Sequence, residues 1–326
     1  PAEMAITSAA RSKLNVSGSI GNALALLISF VIPAILLTGE ELASEDPMFP
    51  IFILTIIVLG VVGTVILYIS SFHIKENKYT IFEEPLGFKD SIIETFKNRS
   101  FLIFELSNFF FLIAQFMLTN GVLYWVDFVL GLSGFMAMVP LLVFFIVVFL
   151  FFPIYSRLII KYGIKKMFMF LLVFTGVSFL ISFALAWSLY TSFIAMVLIG
   201  IGISGYFITN QLVMADVIDN DEILTGKRRE TTYAGMNALL TKPTNSLGPW
   251  ILLSVISFFG SNKPLGVMVA FTIIPAIFIL LSALSIKFFP LSGPEWSKKK
   301  EELHKIHQEK EKAYLEKIRS QEEAKE

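Results

Sequence analysis

Long apolar runs alternate with short polar ones along the whole chain. Runs almost free of charge fall at 18–38, 50–72, 101–130, 135–155, 167–187, 191–214, 233–259 and 265–289. About 20 apolar residues in a helix cross about 30 Å of hydrocarbon. Each run is far too long for a globular strand and shows no strict apolar/polar alternation, which argues for helices and against a barrel. The pattern therefore predicts an all-α, polytopic membrane helix bundle with eight transmembrane helices.

Composition agrees: 55% of residues are hydrophobic and 33 are phenylalanine. The absence of cysteine excludes disulfides, thiol catalysis and thiolate metal sites. The net charge of +0 is silent as a total, but the placement of charge is not. Arg11 and Lys13 precede the first run. Lys75, Lys78, Lys89, Lys97 and Arg99 separate the second from the third, Arg157, Lys161, Lys165 and Lys166 follow the fourth, and Lys227, Arg228 and Arg229 follow the sixth. The other connections carry Glu40, Glu41, Glu45 and Asp46, or are nearly uncharged. By the positive-inside rule this places a multi-pass protein in the cell membrane with both ends of the chain cytoplasmic. The chain divides into 1–72, a central cytoplasmic loop at 73–100, a six-helix unit at 101–289 and a charged cytoplasmic tail at 290–326. Residues 1–15 carry no signal-peptide pattern, and the Lys/Glu-dense tail reads as a solvated helix.

Catalytic patterns find little support. Gly200, Gly202 and Gly205 spell a dinucleotide-type glycine motif, but they lie inside an apolar run, where small residues let helices approach closely. His304 and His307 lack a third ligand, and His73 stands alone at a membrane edge. The expectation is no enzyme, no metal site, no cofactor and no nucleic-acid partner.

Polar residues inside the runs carry more information, because lipid makes each one expensive. Lys242 stands near the middle of the seventh run, beside Asn237, Thr241, Pro243, Thr244, Asn245, Gly248 and Pro249. In the third run, Glu105, Asn108, Gln115, Thr119, Asn120, Tyr124 and Asp127 fall on about half of the helical circumference. Interhelical hydrogen bonding explains any one of them; seven together read as a pathway. The sixth run adds Ser204, Tyr206, Phe207, Thr209, Asn210 and Gln211, a mixture of hydrogen-bonding groups and aromatic faces that suits a sugar ring and equally suits helix packing.

The stretch Ala215-Asp216-Val217-Ile218-Asp219-Asn220-Asp221-Glu222-Ile223-Leu224-Thr225-Gly226-Lys227-Arg228-Arg229-Glu230, with Lys242 downstream, resembles a loop of one known family. That loop joins helices ten and eleven of the glycoside-pentoside-hexuronide:cation symporters, the melibiose-permease branch of the major facilitator superfamily. Pro1-Ala2-Glu3 with Arg11, Lys13, Leu14 and Asn15 is similar to the loop before helix five. Tyr124-Trp125 with Gly131 is similar to the end of helix seven, and Arg157 with Tyr162-Gly163-Ile164-Lys165-Lys166 to the loop between helices eight and nine. The resemblance implies that the eight spans are helices five to twelve of a major facilitator fold, with helices one to four, and the cation-binding carboxylates of helices two and four, outside this chain. Residues 1–72 would then be the last two helices of the N-terminal half, and 101–289 the C-terminal half.

It further implies cation-coupled symport of a sugar or glycoside by alternating access, two halves rocking about a site near the bilayer midplane, with Na⁺ or H⁺ as coupling ion. Gln115, Thr119, Tyr124, Phe207, Asn210, Asn237 and Thr241 are the expected substrate-binding residues, and Lys242 matches the family lysine beside the cation site. Phe207 stands where the family carries a sugar-contacting tryptophan. Asp216, Asp219, Arg228, Arg229 and Glu230 form an expected cytoplasmic gate of ion pairs; a solvated loop whose bases only fix topology is the alternative for that run. Where the family places an arginine at the start of helix five, this chain has Gly18 and Ser19. That departure leaves open a second reading, transport of a lysolipid or other organic solute. A third is a non-transporting membrane scaffold or sensor whose polar residues only join helices. The expected partners are a small solute of the sugar class, the lipid bilayer and the N-terminal helices.

Overall fold

The computed structural model describes residues 49–73, 88–132, 135–226, 229–260 and 263–303, together with scattered helical positions between 17 and 32 and at 305–306. The expected first span, 18–38, the acidic connection at 40–46, most of the central loop, and His304, His307 and Arg228 thus lie wholly or largely outside the described residues.

Apolar runs become helices. These are α1 (Phe49–His73), α2 (Phe88–Lys97), α3 (Arg99–Phe128), α4 (Phe135–Tyr162), α5 (Ile164–Leu185), α6 (Leu189–Thr225), α7 (Glu230–Thr241), α8 (Thr244–Phe259) and α9 (Pro264–Lys287). Among the described residues six helices, α1, α3, α4, α5, α6 and α9, are long and apolar enough to cross a membrane.

Local chemistry sets the ends. Asn98 caps α3, its side-chain oxygen accepting from the Ser100 and Phe101 N–H groups at 3.0 and 3.3 Å. Gly226, at φ 69°, closes α6 in the left-handed conformation. Pro243 has no N–H to continue a helix, and the expected seventh span, 233–259, is two helices meeting at Lys242–Pro243. In α9 a π-helical turn, Val269–Ile273, precedes Pro275 and widens the backbone where the proline ring meets the preceding turn. The acid-rich stretch read as a loop after 214 is instead helix as far as Thr225.

Helices α3 to α9 pack as a bundle. α6 lies between α4 and α5, α9 between α3 and α5, and α8 against α3. Trp125 lies at the centre of one layer, stacked on Phe271 at 5.1 Å and donating to the Ala186 carbonyl at 2.8 Å. On α5 the exposed residues Phe170, Val173, Val177, Leu180 and Ile181 repeat at three- and four-residue spacing, an apolar stripe fit for acyl chains. The glycine motif does what the apolar context demands. A Cβ on Gly202 would overlap the Thr175 side chain and stand 3.0 Å from its Cα, and one on Gly205 would overlap Leu171. These glycines let α5 and α6 meet backbone to side chain.

Candidate functional site

The polar face of α3 changes character along its length. Glu105 and Asn108 are buried, Gln115 and Thr119 half-buried, and Asn120, Tyr124 and Asp127 exposed. Its buried end is a hydrogen-bonded cluster: Tyr206 Oη on α6 donates to Asn108 Oδ1. The Asn237 amide on α7, turned so that Nδ2 donates, reaches both Glu105 oxygens at 3.2 Å.

In the middle of α3 a cleft opens toward α4 and α6, lined by Gln115, Thr119, Phe144, Phe145, Ile203 and Phe207. Three of the expected substrate residues, Gln115, Thr119 and Phe207, therefore share one wall. Gln115 Oε1 and Asn210 Oδ1 are both buried and make no hydrogen bond. A buried acceptor without a donor costs about 1–3 kcal/mol, so Gln115, which lines the cleft with Phe144, Phe145 and Phe207, marks a place where a hydroxyl-bearing ligand gains most. The cleft holds about 40 Å³, well below the about 300–1,000 Å³ of small-solute pockets, so a sugar fits it only in a more open state of the bundle.

The other expected residues lie elsewhere. Thr241 bonds back to the Asn237 carbonyl at 2.7 Å, and Tyr124 stacks on Phe128 at 6.2 Å with its ring partly exposed. Lys242 sits exposed at the α7–α8 break, on the opposite side of that segment from the buried Tyr233, Met236 and Thr244.

At the lysine-rich end of the bundle the expected gate residues enter a wider network. Asp221 holds Arg229 through two hydrogen bonds, Arg229 Nε to Oδ2 at 2.8 Å being one. The guanidinium lies 5.7 Å over the Tyr233 ring, whose hydroxyl accepts from Asn98 Nδ2 at 2.8 Å. Ends of α3, α6 and α7 are thereby tied together. Asp216 accepts from Trp296 Nε1 at 3.0 Å and pairs with Lys300, both on the helical stretch 293–303 that returns from α9. Asp219 is buried and Glu230 half-buried. Sequence reasoning did not single out Asp221, Tyr233, Asn98, Trp296 or Lys300 as gate residues. Asn98 was detectable as a capping residue before an apolar run, whereas the pairing of Asp216 across 84 residues had no sequence signal.

Comparison with known proteins adds four findings. A family model described as MFS/sugar transport protein matches residues 1–293. Over 303 residues the chain is 23% identical to the glucuronide carrier protein homolog of Escherichia coli strain K12, covering 90% of this chain and 65% of that protein's length. The fold is similar to the crystal structure of the E. coli fucose:proton symporter, with a TM-score of 0.62, 16% identity, and 86% of this chain and 69% of that one covered. A crystal structure of the major facilitator superfamily transporter FucP in the outward conformation matches with a TM-score of 0.59, 16% identity and the same coverage.

Proposed function

The chain belongs to the MFS/sugar transport protein family, and from that premise we propose that it serves secondary active transport of a sugar or glycoside, coupled to Na⁺ or H⁺. The single observation that carries the solute reading is the unpartnered buried acceptor Gln115 Oε1, on a residue that lines the cleft together with Phe144, Phe145 and Phe207. Sugar hydroxyls donate to such oxygens while the C–H face of the ring packs on phenyl groups.

Lys242 supplies the positive charge of the coupling step. Among the described residues it makes no ion pair, so its ammonium is available to a carboxylate in one state and to water in another. A bound cation would displace it electrostatically, and the linkage between cation and solute follows when both bias the same two-state element. The Asp221–Arg229 and Asp216–Lys300 pairs lie within one half, at the end assigned to the cytoplasm by the positive-inside rule, and brace that end of the half as the two halves rock. The missing-arginine position at Gly18 leaves the exact glycoside open to the assay.

Uptake of labelled sugars into proteoliposomes, with and without an inward sodium or proton gradient, tests the reading. Gradient-dependent accumulation is expected, and Lys242→Met should reduce its dependence on the gradient. Absence of uptake for every sugar under every gradient would remove the proposal.

A further inference from the structure

Where α4 turns into α5 at the lysine-rich end, a groove of about 900 Å³ runs from that turn to the returning stretch 293–303. That size is near the top of the range for small-ligand pockets, about 300–1,000 Å³. Lys161, Lys165, Lys166 and Lys300 line it, with Asp216 as the acid among its lining residues. Asp216 is already satisfied by Lys300 and Trp296. Lys161, Lys165 and Lys166 have no acid partner among the described residues, and Lys161 instead lies 5.1 Å over the Tyr162 ring. The groove is thus strongly cationic.

Its outer wall has a different character. Ile160 is 79% exposed and Met169 38% exposed, both lining the groove. They sit at the ends of helices long and apolar enough to span, hence at the level where hydrocarbon gives way to headgroups. A soluble anion has no use for that apolar flank. A molecule with a negative headgroup and acyl chains uses both parts at once.

We infer that this groove is a binding site for an anionic glycerophospholipid, its phosphodiester held by Lys161, Lys165 and Lys166 and its chains lying along Ile160 and Met169. Basic pockets between membrane helices recognise headgroups in this way, each lysine contributing about a fivefold gain in affinity. The lipid would lie against the segment that reaches Asp216, so its occupancy stabilises the returning stretch in place. The inference requires only that the chain sit in a bilayer, and it stands or falls apart from any transport activity.

Native mass spectrometry and thermal unfolding of the protein, reconstituted in phosphatidylcholine with or without phosphatidylglycerol, test it. Anionic lipid should be retained through detergent exchange and raise the unfolding midpoint. The triple substitution Lys161→Gln, Lys165→Gln, Lys166→Gln should weaken retention roughly a hundredfold, whereas Lys263→Gln, on the connection between α8 and α9, should leave it unchanged. Should the triple variant not fold, each single substitution is expected to weaken retention about fivefold. Equal retention of phosphatidylcholine, undiminished retention in the lysine variants, or an equal midpoint shift from inorganic phosphate alone would each overturn the inference, the last by assigning the groove to a soluble anion.

Discussion

Among single residues, Arg229 and Asp221 carry the sharpest energetic demand. Their side chains are 6% and 3% exposed, and each is the other's ion-pair partner. Removing one partner of a buried pair leaves a charge in low dielectric and costs about 3–5 kcal/mol, while removing both costs far less. Arg229→Ala should therefore lower the thermal unfolding midpoint of the purified protein markedly, and adding Asp221→Ala should restore part of the loss. A double variant no better than the single one would mean the pair is not coupled. Gln115 makes the opposite case. Its unpartnered oxygen is a liability to the fold, so Gln115→Leu should hold or raise the unfolding midpoint while raising the apparent KM for the transported sugar about tenfold, the worth of one hydrogen bond. Both kinds of residue were partly legible in the sequence. Gln115, Asn210 and Lys242 stood out because a polar group in an apolar run needs a reason. Asp221 did not, since four acids, Asp216, Asp219, Asp221 and Glu222, stand close together and only the helix they lie on decides which one faces Arg229.

Between elements, the α5–α6 seam depends on two glycines. A methyl group at Gly202 meets the Cα of Thr175, which cannot move without shifting α5. Gly202→Ala should cost about 1–3 kcal/mol through overpacking, visible as a lower unfolding midpoint. Gly235, in α7 with open space around its would-be Cβ, provides the contrast: Gly235→Ala should be neutral or stabilising, because it reduces the freedom of the unfolded chain. Equal effects at the two positions would contradict the close-approach account. Most helices could be placed from periodicity and length, because hydrocarbon thickness sets the length of an apolar run. The boundaries that slipped did so for identifiable reasons. α6 runs to Thr225 rather than stopping near 214, since Asp216, Asp219, Asp221 and Glu222 are buried at the bundle end and not spread through a solvated loop. The seventh run breaks at Pro243 because one residue lacks an N–H, which a hydropathy average passes over.

The whole molecule separates into a packed bundle and α1, none of whose described residues is buried. The hydroxyls of Thr55 and Thr64 bond back to the Ile51 and Gly60 carbonyls at 2.8 Å, which leaves α1 with little unsatisfied polarity toward lipid. Apolar runs of spanning length made the membrane bundle legible, and the stretch 215–230, most of it inside α6, made the family legible. What the chain order could not disclose was the return of residues 293–303 onto α6, because a charged tail dense in Lys and Glu looks the same whether it drifts in water or docks through one lysine and one indole. That docking has a spectroscopic consequence. Trp296 is 7% exposed with its N–H on Asp216, while Trp187 and Trp250 are exposed and Trp125 is sealed in the core. With those three replaced by phenylalanine, the remaining emission should be blue-shifted and shielded from acrylamide, and Asp216→Asn should make it red-shifted and quenchable. The chain thus contains a native optical probe, needing no attached dye, that reports whether the stretch 293–303 is seated or released.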